Sequence, residues 1–112
     1  MAPERILVTP GASGALLLAS QLLVESGDRV LMADPTYPCN RHFMALAGAA
    51  IDAVPVGEES GWQLDAGLVA THWREDTRLA MLATPSNPTG HMLDADQLGD
   101  VAGAVAERGG HL

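Results

Sequence analysis

The sequence contains no lysine, and its strongly basic side chains are limited to six arginines among 112 residues. The formal net charge is −8, and basic residues form no run anywhere along the chain. Proteins that bind nucleic acid neutralise its phosphates with clustered lysine and arginine. The composition therefore argues against nucleic acid as a partner.

Cysteine and long apolar runs are also scarce. The single cysteine, Cys39, excludes an internal disulfide and is typical of a reducing cytoplasm. No apolar run approaches the length of a membrane span, and Met1–Arg5 does not resemble the start of a signal peptide. The four histidines lack the paired spacing of metal ligands, so no metal site is predicted. We expect a cytoplasmic protein without a membrane segment.

Apolar residues make up 47% of the sequence, which is sufficient for one globular domain. Short apolar segments alternate with segments of helical periodicity, which predicts an α/β fold. The predicted strands are Ile6–Thr9, Arg29–Ala33, Ala50–Val56 and Arg78–Ala83. The proline in the third of them favours an edge position. The predicted helices are Ala15–Val24, Asn40–Leu46, Ala66–Trp73 capped by Asp65, and a last helix from its cap Asp94, with Gln97 three residues on, to Gly109.

Short connections between these elements predict three layers, with a mainly parallel sheet covered by helices on both faces. Three irregular loops, Pro10–Gly14, Asp34–Pro38 and Thr84–Gly90, each follow a predicted strand. Ligands of parallel sheets bind beyond the carboxyl ends of the strands. We therefore expect the three loops to lie along one edge of the sheet and to form its binding site.

The first loop joins the predicted buried strand Ile6–Thr9 to a predicted helix. Gly11 and Gly14 allow the backbone to approach a ligand closely, and Ser13 adds a hydroxyl donor. Amides at the start of a helix bind anions, most often phosphate. The pattern is weak by itself, because such units also occur without a ligand and Ser13 would serve equally as a helix cap.

The three loops together resemble consecutive motifs of class I/II aminotransferases, pyridoxal-phosphate enzymes with the aspartate aminotransferase fold. The first is Thr-Pro-Gly-Ala-Ser-Gly-Ala-Leu at Thr9–Leu16, and the second is Asp-Pro-Thr-Tyr-Pro at Asp34–Pro38. The third, Thr-Pro-Ser-Asn-Pro-Thr-Gly at Thr84–Gly90, is the most specific. Order and spacing agree with the family over nearly the whole chain.

The resemblance assigns each loop a task on one cofactor, pyridoxal 5'-phosphate. Ala12 and Ser13 match the residues that hold the cofactor phosphate, and Tyr37 matches the aromatic residue that stacks on the pyridine ring. Asn87 matches the residue that donates its amide to the phenolic oxygen of the cofactor, and a cis bond between Asn87 and Pro88 is expected. The competing interpretations are packing for Tyr37 and a plain turn residue for Asn87.

The absence of lysine limits what these residues do by themselves. The family requires a lysine that binds the cofactor covalently, a carboxylate on the pyridine nitrogen and an arginine for the substrate carboxylate. In the family all three follow the Asn-Pro-Thr-Gly motif. Residues 1–112 are therefore expected to be part of the large domain, truncated before the Schiff-base lysine, with no catalytic residue and no turnover alone. The parent protein is expected to transfer an amino group between an amino acid and a 2-oxo acid, and to form a homo-oligomer.

Two alternatives remain open at this point. The glycines after Ile6–Thr9 also resemble the start of a nicotinamide-dependent short-chain oxidoreductase, with Asp34 near the position of a ribose-binding acid. Against it, Pro10 interrupts the motif, Leu16 stands in place of its last glycine, and the third loop is left unexplained. The other alternative, a non-catalytic remnant that only binds a partner, agrees with the missing lysine.

Overall fold

The computed structural model describes all residues from Met1 to Leu112. Its principal elements are α1 (Gly11–Leu23), β1 (Arg29–Asp34), α2 (Pro38–Leu46), β2 (Ala50–Pro55), α3 (Ala66–His72), β3 (Thr77–Met81) and α4 (Ala95–Ala106). Single 3-10 turns occur at Pro3–Arg5 and Glu58–Ser60. None of the helices combines the length and the apolar character that crossing a membrane requires.

The three strands form one parallel sheet in the order β2-β1-β3. β2 lies at an edge, as its proline predicted, and Pro55 is its last residue. Beyond β3, His111 forms a single parallel bridge with Leu79. The His111 amide donates to the Arg78 carbonyl and the His111 carbonyl accepts from the Ala80 amide, both at 2.9 Å. The predicted parallel α/β sheet is confirmed.

The sheet buries apolar side chains on both of its faces. In β1, Val30 and Met32 point to one face while Leu31 and Ala33 point to the other, because side chains alternate along a strand. The first face packs with Met44 of α2 and the partly buried end of α1. The second face packs with the helices α3 and α4, through Val69, Val101 and Val105. The predicted three layers are therefore present.

The predicted buried strand Ile6–Thr9 is wrong. Its residues form no strand, and Ile6, Leu7 and Val8 are 57%, 77% and 92% exposed. β-Branched and apolar residues form a stable strand only when a neighbouring strand pairs with them, and none of the three strands does so. α1 also begins earlier than predicted, so that Gly11–Gly14 belong to its first turn.

Helix capping follows the sequence closely. Asp94 Oδ1 accepts from the Gln97 amide at 2.8 Å, and Gln97 Oε1 accepts from the Asp94 amide at 3.0 Å. Asp65 Oδ1 accepts from the Leu68 amide at 2.7 Å, which caps α3. Caps of this kind contribute about 1 kcal/mol each. Both predicted caps are confirmed.

An ionic cluster stabilises the amino ends of β1 and β2. Arg29 donates through Nε and Nη2 to the two carboxylate oxygens of Asp52, at 2.6 and 2.5 Å, and Arg74 Nε lies 3.7 Å from Asp52. The Asp52 side chain is only 12% exposed. The hydrogen bonds from Arg29, with the charges of Arg29, Arg74 and His72, outweigh burial and lower the pKa of Asp52. The same hydrogen bonds raise the pKa of Arg29.

We predict that Asp52→Asn lowers the urea midpoint of unfolding at pH 7. The folded-state pKa of Asp52 is lower than its unfolded value, so its pairing contributes stability above about pH 4 and loses it as the pH falls through the folded pKa. The difference between wild type and variant should therefore shrink below about pH 4. Asp100→Asn, at an exposed position of α4 without an ion pair, is the matched control. Equal midpoints for wild type and Asp52→Asn at pH 7 would contradict this role.

Candidate cofactor site

Chain direction brings the three motif loops to one edge of the sheet. β1 and β3 are parallel, so the loops Asp34–Pro38 and Thr84–Gly90 both follow carboxyl ends. A five-residue connection, Val24–Asp28, joins the end of α1 to the amino end of β1, so α1 runs back along the sheet. Leu16 near the start of α1 and Leu82 just after β3 line the same apolar cavity. The first turn of α1 therefore lies toward the carboxyl edge.

Two glycines shape the first loop. Gly11 has φ +73°, a left-handed conformation that favours glycine. A Cβ on Gly14 would lie 2.9 Å from Cδ of Pro10, so only glycine lets the proline ring pack this closely. Thr9 Oγ1 donates to the Gly11 carbonyl at 2.9 Å, which closes the loop on itself.

The first turn of α1 presents free amides. Its N-cap residue is Pro10, which has no side chain that could accept from the turn, and no acidic residue lies in that turn. The amides of Ala12 and Ser13 therefore have no partner within the helix. Both residues are exposed. Ser13 lies inside the helix rather than before it, so the alternative of Ser13 as the N-cap is wrong.

The second loop carries Tyr37, the N-cap residue of α2, which is 42% exposed. Asp34 Oδ1 accepts from Arg41 Nη2 at 2.7 Å, which ties the start of the loop to α2. Hydrogen bonding with the Cys39 side chain, then the negative charge of its thiolate form and some burial, raise the pKa of Tyr37. The phenol is therefore neutral at physiological pH, and part of the residue is accessible to a ligand. The carboxylate of Asp34, which the oxidoreductase alternative needs for a ribose, is engaged by Arg41.

The third loop carries Asn87 at its tip. The Asn87–Pro88 bond is cis, as expected, and Asp34–Pro35 and Thr84–Pro85 are cis as well. The Ser86 carbonyl accepts from the Gly90 amide at 2.8 Å and spans the turn that contains Asn87. The Asn87 side chain is exposed and makes no hydrogen bond within the protein, so its carboxamide is available to a ligand.

These groups fit pyridoxal phosphate. Uncapped amides at a helix start suit a phosphate dianion, because the positive end of the helix dipole adds to their hydrogen bonds. An exposed aromatic ring suits a pyridine ring. A free carboxamide supplies a donor for a phenolic oxygen. The structure brings the four predicted residues to one edge, while their role as ligands stays a prediction.

Sequence reasoning missed the residue that supports the third loop. Gln63 is 2% exposed, and its Nε2 donates to the carbonyls of Ala83 and His91. The only local signal is a glutamine between the apolar residues Trp62 and Leu64, just before a helix cap. That signal does not reveal which carbonyls the side chain binds.

Comparison with known proteins agrees with the loop motifs. The family described as aminotransferase class I and II matches residues 1–112. Valine–pyruvate aminotransferase of Mycobacterium tuberculosis is 34% identical over 100 residues, covering 89% of this chain and 26% of that protein. Human kynurenine–oxoglutarate transaminase 1 is 34% identical over 109 residues, covering 88% of this chain and 26% of that protein.

A solved structure of an aminotransferase from Mycobacterium tuberculosis superposes with a TM-score of 0.90 at 30% identity. The match covers 98% of this chain and 28% of that one. The chain thus spans about a quarter of the length of the relatives it matches. With a family match over its whole length and all three motif loops at one edge of the sheet, the chain belongs to the class I and II aminotransferases.

Proposed function

We propose that residues 1–112 are the cofactor-cradling part of the large domain of a longer pyridoxal-phosphate-dependent aminotransferase. The observation that carries this proposal is the common edge shared by three loops, each with an exposed group suited to a different part of the cofactor. The parent protein would transfer an amino group between an amino acid and a 2-oxo acid. The cofactor, when bound, supplies an electron sink for bonds at the α-carbon of the substrate.

Ala12 and Ser13 would hold the cofactor phosphate. Their amides point out of the start of α1, and the Ser13 hydroxyl adds one more donor. The tight packing of Pro10 against Gly14 supports this role, because it fixes the loop before any ligand arrives. Little ordering entropy is then lost when the anion binds.

Tyr37 and Asn87 would orient the ring. The neutral Tyr37 phenol offers a flat face, and stacking of aromatic rings contributes about 0.5–1.5 kcal/mol beyond buried area. The Asn87 carboxamide would donate to the phenolic oxygen, which favours the ionised form of that oxygen. Donation to the oxygen and stacking on the ring together fix the plane of the cofactor relative to the sheet edge.

The remaining chemistry belongs to residues outside this sequence. With no lysine here, covalent attachment of the cofactor and proton transfer at the substrate carbon require another part of the parent protein. The single free Cys39 supports a reducing, cytoplasmic location. Exposed leucines on α1 and α2 support association into a homo-oligomer, because exposed apolar surface favours it; they are Leu18, Leu22 and Leu46.

We predict that Ser13→Ala in the complete protein weakens binding of pyridoxal phosphate. Loss of one hydrogen bond to a charged phosphate should raise the dissociation constant by about tenfold. Equilibrium dialysis of the cofactor-free complete protein against pyridoxal phosphate measures this apparent constant, because covalent attachment of the cofactor is reversible. Ser26→Ala, at an exposed serine in the turn after α1, is the matched control. An unchanged constant for Ser13→Ala would argue against the phosphate site.

We predict that residues 1–112 alone catalyse no transamination, while the complete protein does. After borohydride reduction of the complete protein with its cofactor, peptide mapping should place the label outside this sequence, because there is no lysine within it. A stoichiometric label at one position within residues 1–112, together with measurable turnover by this segment, would contradict the proposal.

We predict that the 112-residue chain associates in solution. Leu22 is 82% exposed on α1, and its replacement by serine should lower the sedimentation-average mass. Met92→Ser, at a side chain that is 68% exposed in the segment before α4, is the control. A well-folded wild-type monomer at high concentration, with cooperative unfolding, would contradict the prediction.

A further inference from the structure

The loop that carries Asn87 is held at both of its ends by one buried side chain. It follows β3, which ends at Met81, and the residues on its two sides are Ala83 and His91. Gln63, which is only 2% exposed, donates from Nε2 to the Ala83 carbonyl at 3.1 Å and to the His91 carbonyl at 2.9 Å. One carboxamide nitrogen thus binds the residues on both sides of the loop.

A compact turn places Gln63 at this position. The amide of Trp62 donates to the Gly57 carbonyl at 2.8 Å, which closes the turn. Gly61 and Trp62 both have left-handed backbones, with φ +60° and +57°. A left-handed conformation is uncommon for a bulky residue such as tryptophan. The Trp62 ring then lies 6.4 Å from the imidazole of His91, measured between ring centroids. Trp62 and Gln63 therefore both lie against His91, at the end of the loop.

The other hydrogen bonds of the loop join residues within 84–93 to one another. The Ser86 amide donates to the His91 carbonyl at 2.8 Å, and the Leu93 amide donates to Thr84 Oγ1 at 2.9 Å. The side chain of Asn87 has no hydrogen bond of its own. The position of Asn87 consequently depends on the two loop ends, and Gln63 joins both of them by hydrogen bonds to a segment outside residues 83–93.

We propose that Gln63 is a positioning residue for the cofactor: it holds the Thr84–Gly90 loop so that the Asn87 carboxamide meets the phenolic oxygen. This inference rests on the proposed function above. The contact requires a donor of two hydrogen bonds, because both partners are carbonyl oxygens. A carboxamide nitrogen supplies them with its two hydrogens. A carboxylate at the same position could only accept hydrogen bonds, and its oxygens would face two other acceptors, the carbonyls of Ala83 and His91.

The test uses the complete protein with Gln63→Glu and Gln63→Met. The first keeps the shape and removes the donor, while the second keeps a similar volume without charge. Gln21→Glu, at an exposed position of α1, is the matched control for the added charge. The dissociation constant of pyridoxal phosphate is measured from pH 5.5 to 8.5, with wild type at each pH as the reference. Amide hydrogen exchange across residues 84–93 is followed without cofactor, and circular dichroism checks folding.

We expect both variants to bind the cofactor about tenfold more weakly at pH 8, since two carbonyls lose their donor. The amides of Ser86 and Leu93 should exchange faster in both variants. For Gln63→Glu the ratio to wild type should fall toward one as the pH is lowered, because the introduced carboxyl regains a donor when protonated and burial raises its pKa. Gln63→Met should show no such recovery. If Gln63→Glu does not fold, Gln63→Met is compared with wild type in the same assays.

Three outcomes separate this inference from the proposed function. Failure of the wild-type complete protein to bind pyridoxal phosphate would overturn the proposed function and this role of Gln63 with it. Tight binding by wild type and by both variants would overturn the role of Gln63 alone. Faster exchange with unchanged affinity would also overturn it, because Gln63 would then stabilise the loop without positioning a ligand group.

Discussion

The parallel pairing of β1 with both of its neighbours is the constraint on which the rest of the structure depends. Parallel strands need a crossover between them, and a helix supplies it each time. The helices of these crossovers cover the apolar side chains on the faces of the sheet. Because the strands are parallel, all of them end at the same edge. The candidate site follows from this arrangement. Residues distant in sequence lie close together because the loops that follow parallel strands all lie at the same edge of the sheet.

Backbone geometry and a few close side-chain contacts then shape that edge. The first loop is formed by a left-handed glycine and by a proline that packs against Gly14. The third loop is closed by main-chain hydrogen bonds and by the carboxamide of Gln63. Groups held in this way leave their ligand-facing atoms free. A loop of this kind binds by preorganisation, because the cost of ordering it is met during folding.

The parts of the fold that the sequence predicted are those set by local chemistry. Asp94 and Gln97 are three residues apart, so their reciprocal cap is visible in the sequence. The strand predicted at Ile6–Thr9 failed because a strand depends on a partner elsewhere, which no local pattern specifies. The support from Gln63 was missed for the same reason, since its acceptors lie 20 and 28 residues away. The candidate ligands were predictable because their motifs combine turn chemistry with a known family pattern.

The ion pairs also determine how much positive charge is left to attract an anion to this edge. Five of the six arginines are paired with carboxylates, and three of these, Arg29, Arg74 and Arg78, lie around the amino ends of the strands. Arg41, beside the second loop, is neutralised by Asp34. A phosphate at the start of α1 would be held by dipoles on a chain whose net charge is −8. Moderate salt would screen the long-range repulsion of this chain while leaving short hydrogen bonds intact, so dissolved ions would speed the capture of an anion here.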